Sequence, residues 1–166
     1  MLPIRTPRLL LREFTLEDTA VVLGVLNDAD FIRFVTDRGV RTHAQALDYL
    51  RAGPLASYQR HGHGLWCVER LDDGQALGMC GLIQRDGMPG VDLGYALLPH
   101  ARGCGYAREA AQASLDYGRT VLRLPRIVAY IDPANLASAT VLEAVGMQCR
   151  GLVPFPGAAG DTALYE

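Results

Sequence analysis

Apolar residues along the chain fall into short runs and helical stripes separated by turn signals. Residues 8–14 (RLLLREF) form an apolar run with charged ends and predict a strand. Thr15-Leu16-Glu17-Asp18 resembles a capping box, and Ala20, Val21, Leu23, Val25 and Leu26 supply the helical face behind it, ending near Asn27-Asp28. Residues 30–40 are mixed and predict no definite element. Thr42 opens a second helical segment with Ala46, Leu47, Leu50, Leu55 and Tyr58. Gly53-Pro54 should kink or split it, because proline lacks an amide donor and crowds the preceding turn.

From Leu65 the period changes. Residues 65–70, 76–83 and 91–98 read as three strands joined by turns at Asp72-Asp73-Gly74 and at 85–90, an antiparallel meander. Gly78, Gly81 and Gly94 weaken strand propensity, and each suggests a bulge or a close approach. A helix is predicted from about 105 to 122, burying Ala107, Ala110, Ala111, Ser114, Leu115 and Val121. Then follow a strand over 126–131, a turn and cap over 132–135, and a helix over 136–145 stopped by Gly146. A strand over 147–153, a loop over 154–160 and a last strand over 162–165 complete the pattern. The order β-α-α-βββ-α-β-α-ββ predicts an α+β fold in one domain spanning residues 1–166.

Composition narrows the function. With 49% hydrophobic and 20% charged residues, the 166-residue chain is globular and can bury a core without disulfide or metal. Sixteen basic and eighteen acidic side chains leave a net charge of −2, which argues against a general nucleic-acid binder and gives no pull toward anionic membranes. Every basic residue other than histidine is arginine. The lack of lysine excludes Schiff-base chemistry and the phosphate-loop motif of nucleotide hydrolases. Cysteines at 67, 80, 104 and 149 form no CxxC pair, and His61 and His63 have no ligating neighbour in metal spacing, so no metal site is expected. The opening residues match neither a signal peptide nor a membrane span. A cytoplasmic protein with reduced thiols is expected, with no nucleic-acid or membrane partner.

Two local features carry chemistry. Pro99-x-x-Arg102-Gly103-x-Gly105 precedes a helix. Its glycines allow an unusual backbone path, the first helical amides lack internal acceptors, and Arg102 adds positive charge. A pyrophosphate suits this turn, and a plain strand-to-helix turn would use the same residues. The dinucleotide fingerprint fails, because its third glycine position holds Arg108. The second feature is Asn135-x-x-Ser138 at a helix start, where both side chains share one side.

Taken together these segments resemble the GNAT superfamily of acetyl-CoA-dependent N-acetyltransferases, over nearly the whole chain. Thr6-Pro7-Arg8-Leu9-Leu10-Leu11-Arg12 with Leu16-Glu17-Asp18 looks like the opening of the branch that acetylates alanine and serine N-termini of ribosomal proteins. Leu93-Gly94-Tyr95-Ala96-Leu97-Leu98-Pro99 resembles that family's fourth strand, and residues 102–110 its pyrophosphate turn and helix. Asn135-x-x-Ser138, Val141-Leu142-Glu143 and Gly146-Met147 resemble its second cofactor segment, and Asp161 with Tyr165 fits its last strand. The resemblance implies a mixed, mostly antiparallel central sheet with helices on both faces. It implies acetyl-CoA as acetyl donor and no metal. It also implies an amine acceptor, on a protein N-terminus or a small molecule, and a homodimer as the expected assembly.

By the same resemblance, Leu97, Leu98, Arg102, Gly103, Cys104, Gly105, Tyr106, Ala107, Asn135 and Ser138 contact the cofactor. Two departures stand out: His100 replaces a glutamine or arginine, and Leu142 replaces a tyrosine that acts as an acid toward the departing thiolate. Ser138 is the nearest substitute, either as that acid or as a helix serine bonded to cofactor or backbone. Asp92 stands where the branch often carries an acid, so it is either the base or a charge on a half-exposed strand. A backbone amide near Leu97 would serve the oxyanion. Trp66 and Tyr106 are expected to pack and Cys104 to be a small turn residue. The rival functions are a coenzyme A-binding module without catalysis and a structural domain that binds no cofactor.

Overall fold

The structure is a computed structural model that describes residues 3–166. Its described strands form one eight-stranded sheet in the order β1-β2-β3-β4-β5-β6-β8-β7. These are β1 (Ile4–Arg5), β2 (Leu9–Arg12), β3 (Leu65–Arg70), β4 (Ala76–Gln84), β5 (Val91–Leu97), β6 (Ile127–Ile131), β7 (Cys149–Val153) and β8 (Thr162–Tyr165). The helices are α1 (Thr19–Leu26), α2 (Ala29–Phe34), α3 (His43–Leu50), α4 (Ala56–His61), α5 (Tyr106–Thr120) and α6 (Leu136–Ala144). The meander β2 to β5 is antiparallel. The expected mixed α+β sheet is therefore present.

Alternation along the strands sends side chains to two apolar clusters. One packs Leu82, Leu93 and Leu97 with Ala110, Ala111 and Leu115 of α5, and takes in the fully buried Trp66. The other packs Cys67 and Met79 with Val22 and Leu26 of α1 and Leu50 of α3. Helices thus cover both faces.

Three local expectations need correction. Thr15 does not cap α1, which begins four residues later at Thr19. Asp18 instead accepts the Thr15 amide at 2.7 Å and two hydrogen bonds from Arg12 at 2.9 Å, so its carboxylate is engaged by β2. Residues 30–40, read as featureless, include most of α2, whose first turn is capped by the Asp28 side chain. A first strand, β1, precedes the predicted one. The expected split at Gly53-Pro54 takes the form of a widened π turn, Arg51–Leu55, between α3 and α4, where the longer hydrogen-bond spacing accommodates the missing Pro54 amide.

The parallel pair β5–β6 positions the site. Only Val91↔Ile127 and Asp92↔Val128 pair across it. Beyond them β6 turns to β8, matching Ala129 with Tyr165, while β5 continues to Leu97 along β4 alone. The Val91 amide donates toward β6, to the Arg126 carbonyl, and the Leu98 amide toward β4, to the Leu77 carbonyl. Because backbone groups alternate sides along a strand, those of Leu93, Tyr95 and Leu97 face the opened edge.

Candidate active site

Pro99–Ala101 form one 3-10 turn after β5, and the chain then passes through residues 102–105 into α5. Gly103 and Gly105 have φ of 72° and 80°, left-handed values that a side chain would strain. A Cβ on Gly103 would meet nothing within 4 Å, so the turn is open on that side. The amides of Tyr106, Ala107 and Arg108 find no acceptor among the described residues, whereas that of Glu109 bonds the Gly105 carbonyl at 3.1 Å. Unpaired amides at a helix start, above an open glycine turn, suit the pyrophosphate of a coenzyme A ester.

The cations near this turn are arranged differently from the sequence reading. Arg102 donates to the Leu97 carbonyl at 3.1 Å and to Asp28 and Asp30 at 2.5 and 3.0 Å. Two carboxylates meet its charge, and it ties the turn to α2. The residue that braces the turn is Arg8, which donates to the Cys104 carbonyl at 2.8 Å, pairs with Glu109 at 2.7 Å and lies 4.6 Å over the Tyr106 ring. Sequence reasoning missed it, since only the strand pairing brings Arg8 to a turn 96 residues away. The anion attraction of the turn thus rests on its amides more than on Arg102. Tyr106 packs as expected, and Cys104 is exposed.

Asp92 lies at the root of the opened edge and is only 4% exposed. It is not a surface charge. Burial pushes its carboxyl above the ordinary range, and Arg85 opposes this through a 2.6 Å hydrogen bond from Nε to Oδ2. The Tyr130 amide is near enough to favour the ionised form too, yet Oδ1 has no hydrogen bond of ordinary geometry. Arg85 also lies over the Phe155 ring at 5.2 Å, and Phe155 contacts Tyr130 at 5.1 Å. A buried acid with a free oxygen, beside a strand edge that lacks a partner, is suited to proton transfer.

Asn135 caps α6, its Oδ1 accepting the Ser138 amide at 3.1 Å. The Tyr95 hydroxyl crosses from β5 to donate to the Ser138 carbonyl at 2.9 Å. This bond ties β5 to the first turn of α6, a contact sequence reasoning did not assign to Tyr95. Leu142 is fully buried in the core, so the position of the usual tyrosine does not face the cleft. Among the described residues no three metal-ligating side chains come together, and no helix is long and apolar enough to cross a membrane.

Comparison with known proteins gives the family. YkkB of Bacillus subtilis, itself uncharacterised, is 33% identical over 145 residues, covering 86% of this chain and 83% of that one. The crystal structure of an acetyltransferase from Agrobacterium tumefaciens superimposes with a TM-score of 0.83 at 27% identity, covering 99% of this chain and 93% of that one. RimL, a ribosomal-protein α-N-acetyltransferase solved in complex with coenzyme A, shares the fold with a TM-score of 0.84 at 16% identity, covering 98% and 96%. The pattern of the acetyltransferase (GNAT) domain matches residues 8–148, a span that includes the glycine turn, Asp92 and the α6 cap, and the chain belongs to the GNAT acetyltransferase family.

Proposed function

We propose that the protein moves the acetyl group of acetyl-CoA to a primary amine by direct transfer, with both substrates bound together. The observation that carries this reading is the open edge of β5, which begins at Asp92 and ends at the glycine turn. An extended pantetheine arm would add to that edge as a strand, against the backbone of Leu97 and Leu98. Gly103, Cys104, Gly105, Tyr106 and Ala107 would hold the pyrophosphate, and Asn135 and Ser138 flank the arm from α6. RimL, a protein of the same fold, has been solved with coenzyme A, which supports the cofactor.

Acetyl-CoA supplies an activated thioester carbonyl. An α-amino group has a pKa near 8 and an alkylamine near 10, so the acceptor arrives as an ammonium and must lose a proton before attack. Asp92 takes that proton, directly or through water, on the oxygen Arg85 leaves free. The Leu97 amide, facing the open edge, donates to the carbonyl oxygen as its charge grows. With Leu142 in the core, the Ser138 hydroxyl serves as the acid for the departing thiolate.

The burial of Leu142 also favours a second reading, a coenzyme A-binding module that transfers nothing. Thiol release from acetyl-CoA with a panel of amines decides between them. Release with initial-rate lines that intersect supports direct transfer. Tight acetyl-CoA binding without release from any amine supports the binding module. Parallel lines, or an acetyl group left on Cys104, would favour a covalent route instead.

A further inference from the structure

The acceptor can be narrowed from a second cleft on the Asp92 face of the sheet. Ile83 pairs with Asp92 and Leu65 with Gly81, so by alternation Leu65, Ile83 and Asp92 share that face. The cleft there, about 270 Å3, lies between β3–β4 and the α3–α4 segment. It is lined by Arg38, Tyr49, Arg60, His61 and Arg85, and no described carboxylate lines it. Arg38 and Arg60 make no ion pair among the described residues. The partly buried Tyr49 hydroxyl sits in the field of Arg38 and Arg85. Arg85 joins the two sites: it lines the cleft and holds Oδ2 of Asp92.

We infer that the acceptor is a small primary amine that also carries a carboxylate or phosphate. The inference rests on the acetyl-transfer reading of Asp92. Arginine forks match both anions, and two guanidiniums without partners in a concave site present unspent donors. The anion sits on Arg38 and Arg60, and Arg85, shared by the cleft and Asp92, sets the side toward which the amine extends. The volume is at the lower end of small-ligand pockets, which suits a small molecule better than a folded partner. A polyamine would bring several positive charges into a cleft with three guanidiniums.

The test is binding of four amines to the protein by calorimetry, with and without coenzyme A. They are 2-aminoethyl phosphate, 3-aminopropanoate, 2-aminoethanol and 1,4-diaminobutane. At least one anionic amine should bind roughly tenfold or more tighter than the neutral amine and the diamine, the scale of a charged hydrogen bond. The phosphate and carboxylate arms identify the anion. Arg38→Gln with Arg60→Gln, both exposed positions, should erase that preference with the melting temperature unchanged. Equal or tighter binding of the diamine, no binding of any amine, or a preference that survives the double substitution overturns the inference. Thiol release is read in parallel with acetyl-CoA. Anionic amines that bind but release no thiol overturn the transfer reading and leave the anion site. Release from the diamine alone leaves transfer and overturns the anionic acceptor.

Discussion

Burial raises the proton affinity of Asp92, and the Arg85 guanidinium opposes it. Two outcomes follow at this residue. The base is lost as pH falls through its folded pKa, which lies above the ordinary value near 4, so kcat should decline along an acid limb above that value. Arg85→Gln should move that limb to higher pH. A limb that stays in place would show that Arg85 does not hold the base. Stability runs the other way. A folded pKa above the unfolded one means that ionised Asp92 costs stability at neutral pH, a cost relieved as pH falls below the unfolded value. Asp92→Asn should therefore melt no lower than the parent at pH 7 while losing on the order of 10²–10⁴-fold in kcat. The acid itself was legible in the sequence. Its depth was not, because a strand aspartate looks the same whether its face is solvated or covered by the Arg85–Phe155–Tyr130 stack.

Among the elements, the glycine turn and the meander glycines tolerate substitution very differently. Gly103→Ala strains a left-handed residue by about 1–2 kcal/mol but fills open space, so the fold should survive while acetyl-CoA binding weakens, as titration calorimetry would read. Gly81→Ala drives its Cβ into the Gly64 carbonyl, where backbone must move, and should cost more than about 3 kcal/mol by chemical denaturation. The close approach was readable from Gly81 in a strand; the identity of its neighbour needed the register. The Arg12–Asp18–Glu69 network pins α1 to the sheet. Burial pushes Asp18 up, but the hydrogen bonds of Arg12 and Thr15 outweigh it and hold the carboxyl below its usual range. Its stabilisation is present above the unfolded pKa near 4 and lost as pH falls through the lower folded value. Asp18→Ala should cost about 2 kcal/mol at pH 7, between an exposed and a buried pair. That cost should shrink in acid, measured by urea unfolding at each pH. At Thr15 half of the capping box is present, Asp18 accepting the Thr15 amide, but the Asp18 amide bonds the Thr15 carbonyl and not its hydroxyl, so a turn forms there and α1 starts only at Thr19.

For the whole molecule, burial sorts the thiols. Burial pushes Cys67 and Cys80 up to about 12, while Cys104 and Cys149 are exposed. Alkylation of the native protein should mark the exposed pair quickly and all four only after unfolding, with acetyl-CoA protecting Cys104 and not Cys149. The order of strands and helices was largely legible, because each element carries its own period. The parallel contact of β5 with β6, on which the site depends, was not, since it joins segments with a whole helix between them. That contact has a thermodynamic consequence. Two residue pairs join the β1–β5 part of the sheet to β6, β8 and β7, so the seam is a natural line for sub-global opening. Amides of β6 and β8 should exchange with solvent deuterium through that opening, while those of β3 and β4 wait for global unfolding. Acetyl-CoA at 100 times its Kd adds about 2.7 kcal/mol to any state that must release it before opening. Slowed exchange would then appear first in residues 127–131 and 162–165, where the ligand acts as the strand that closes the seam.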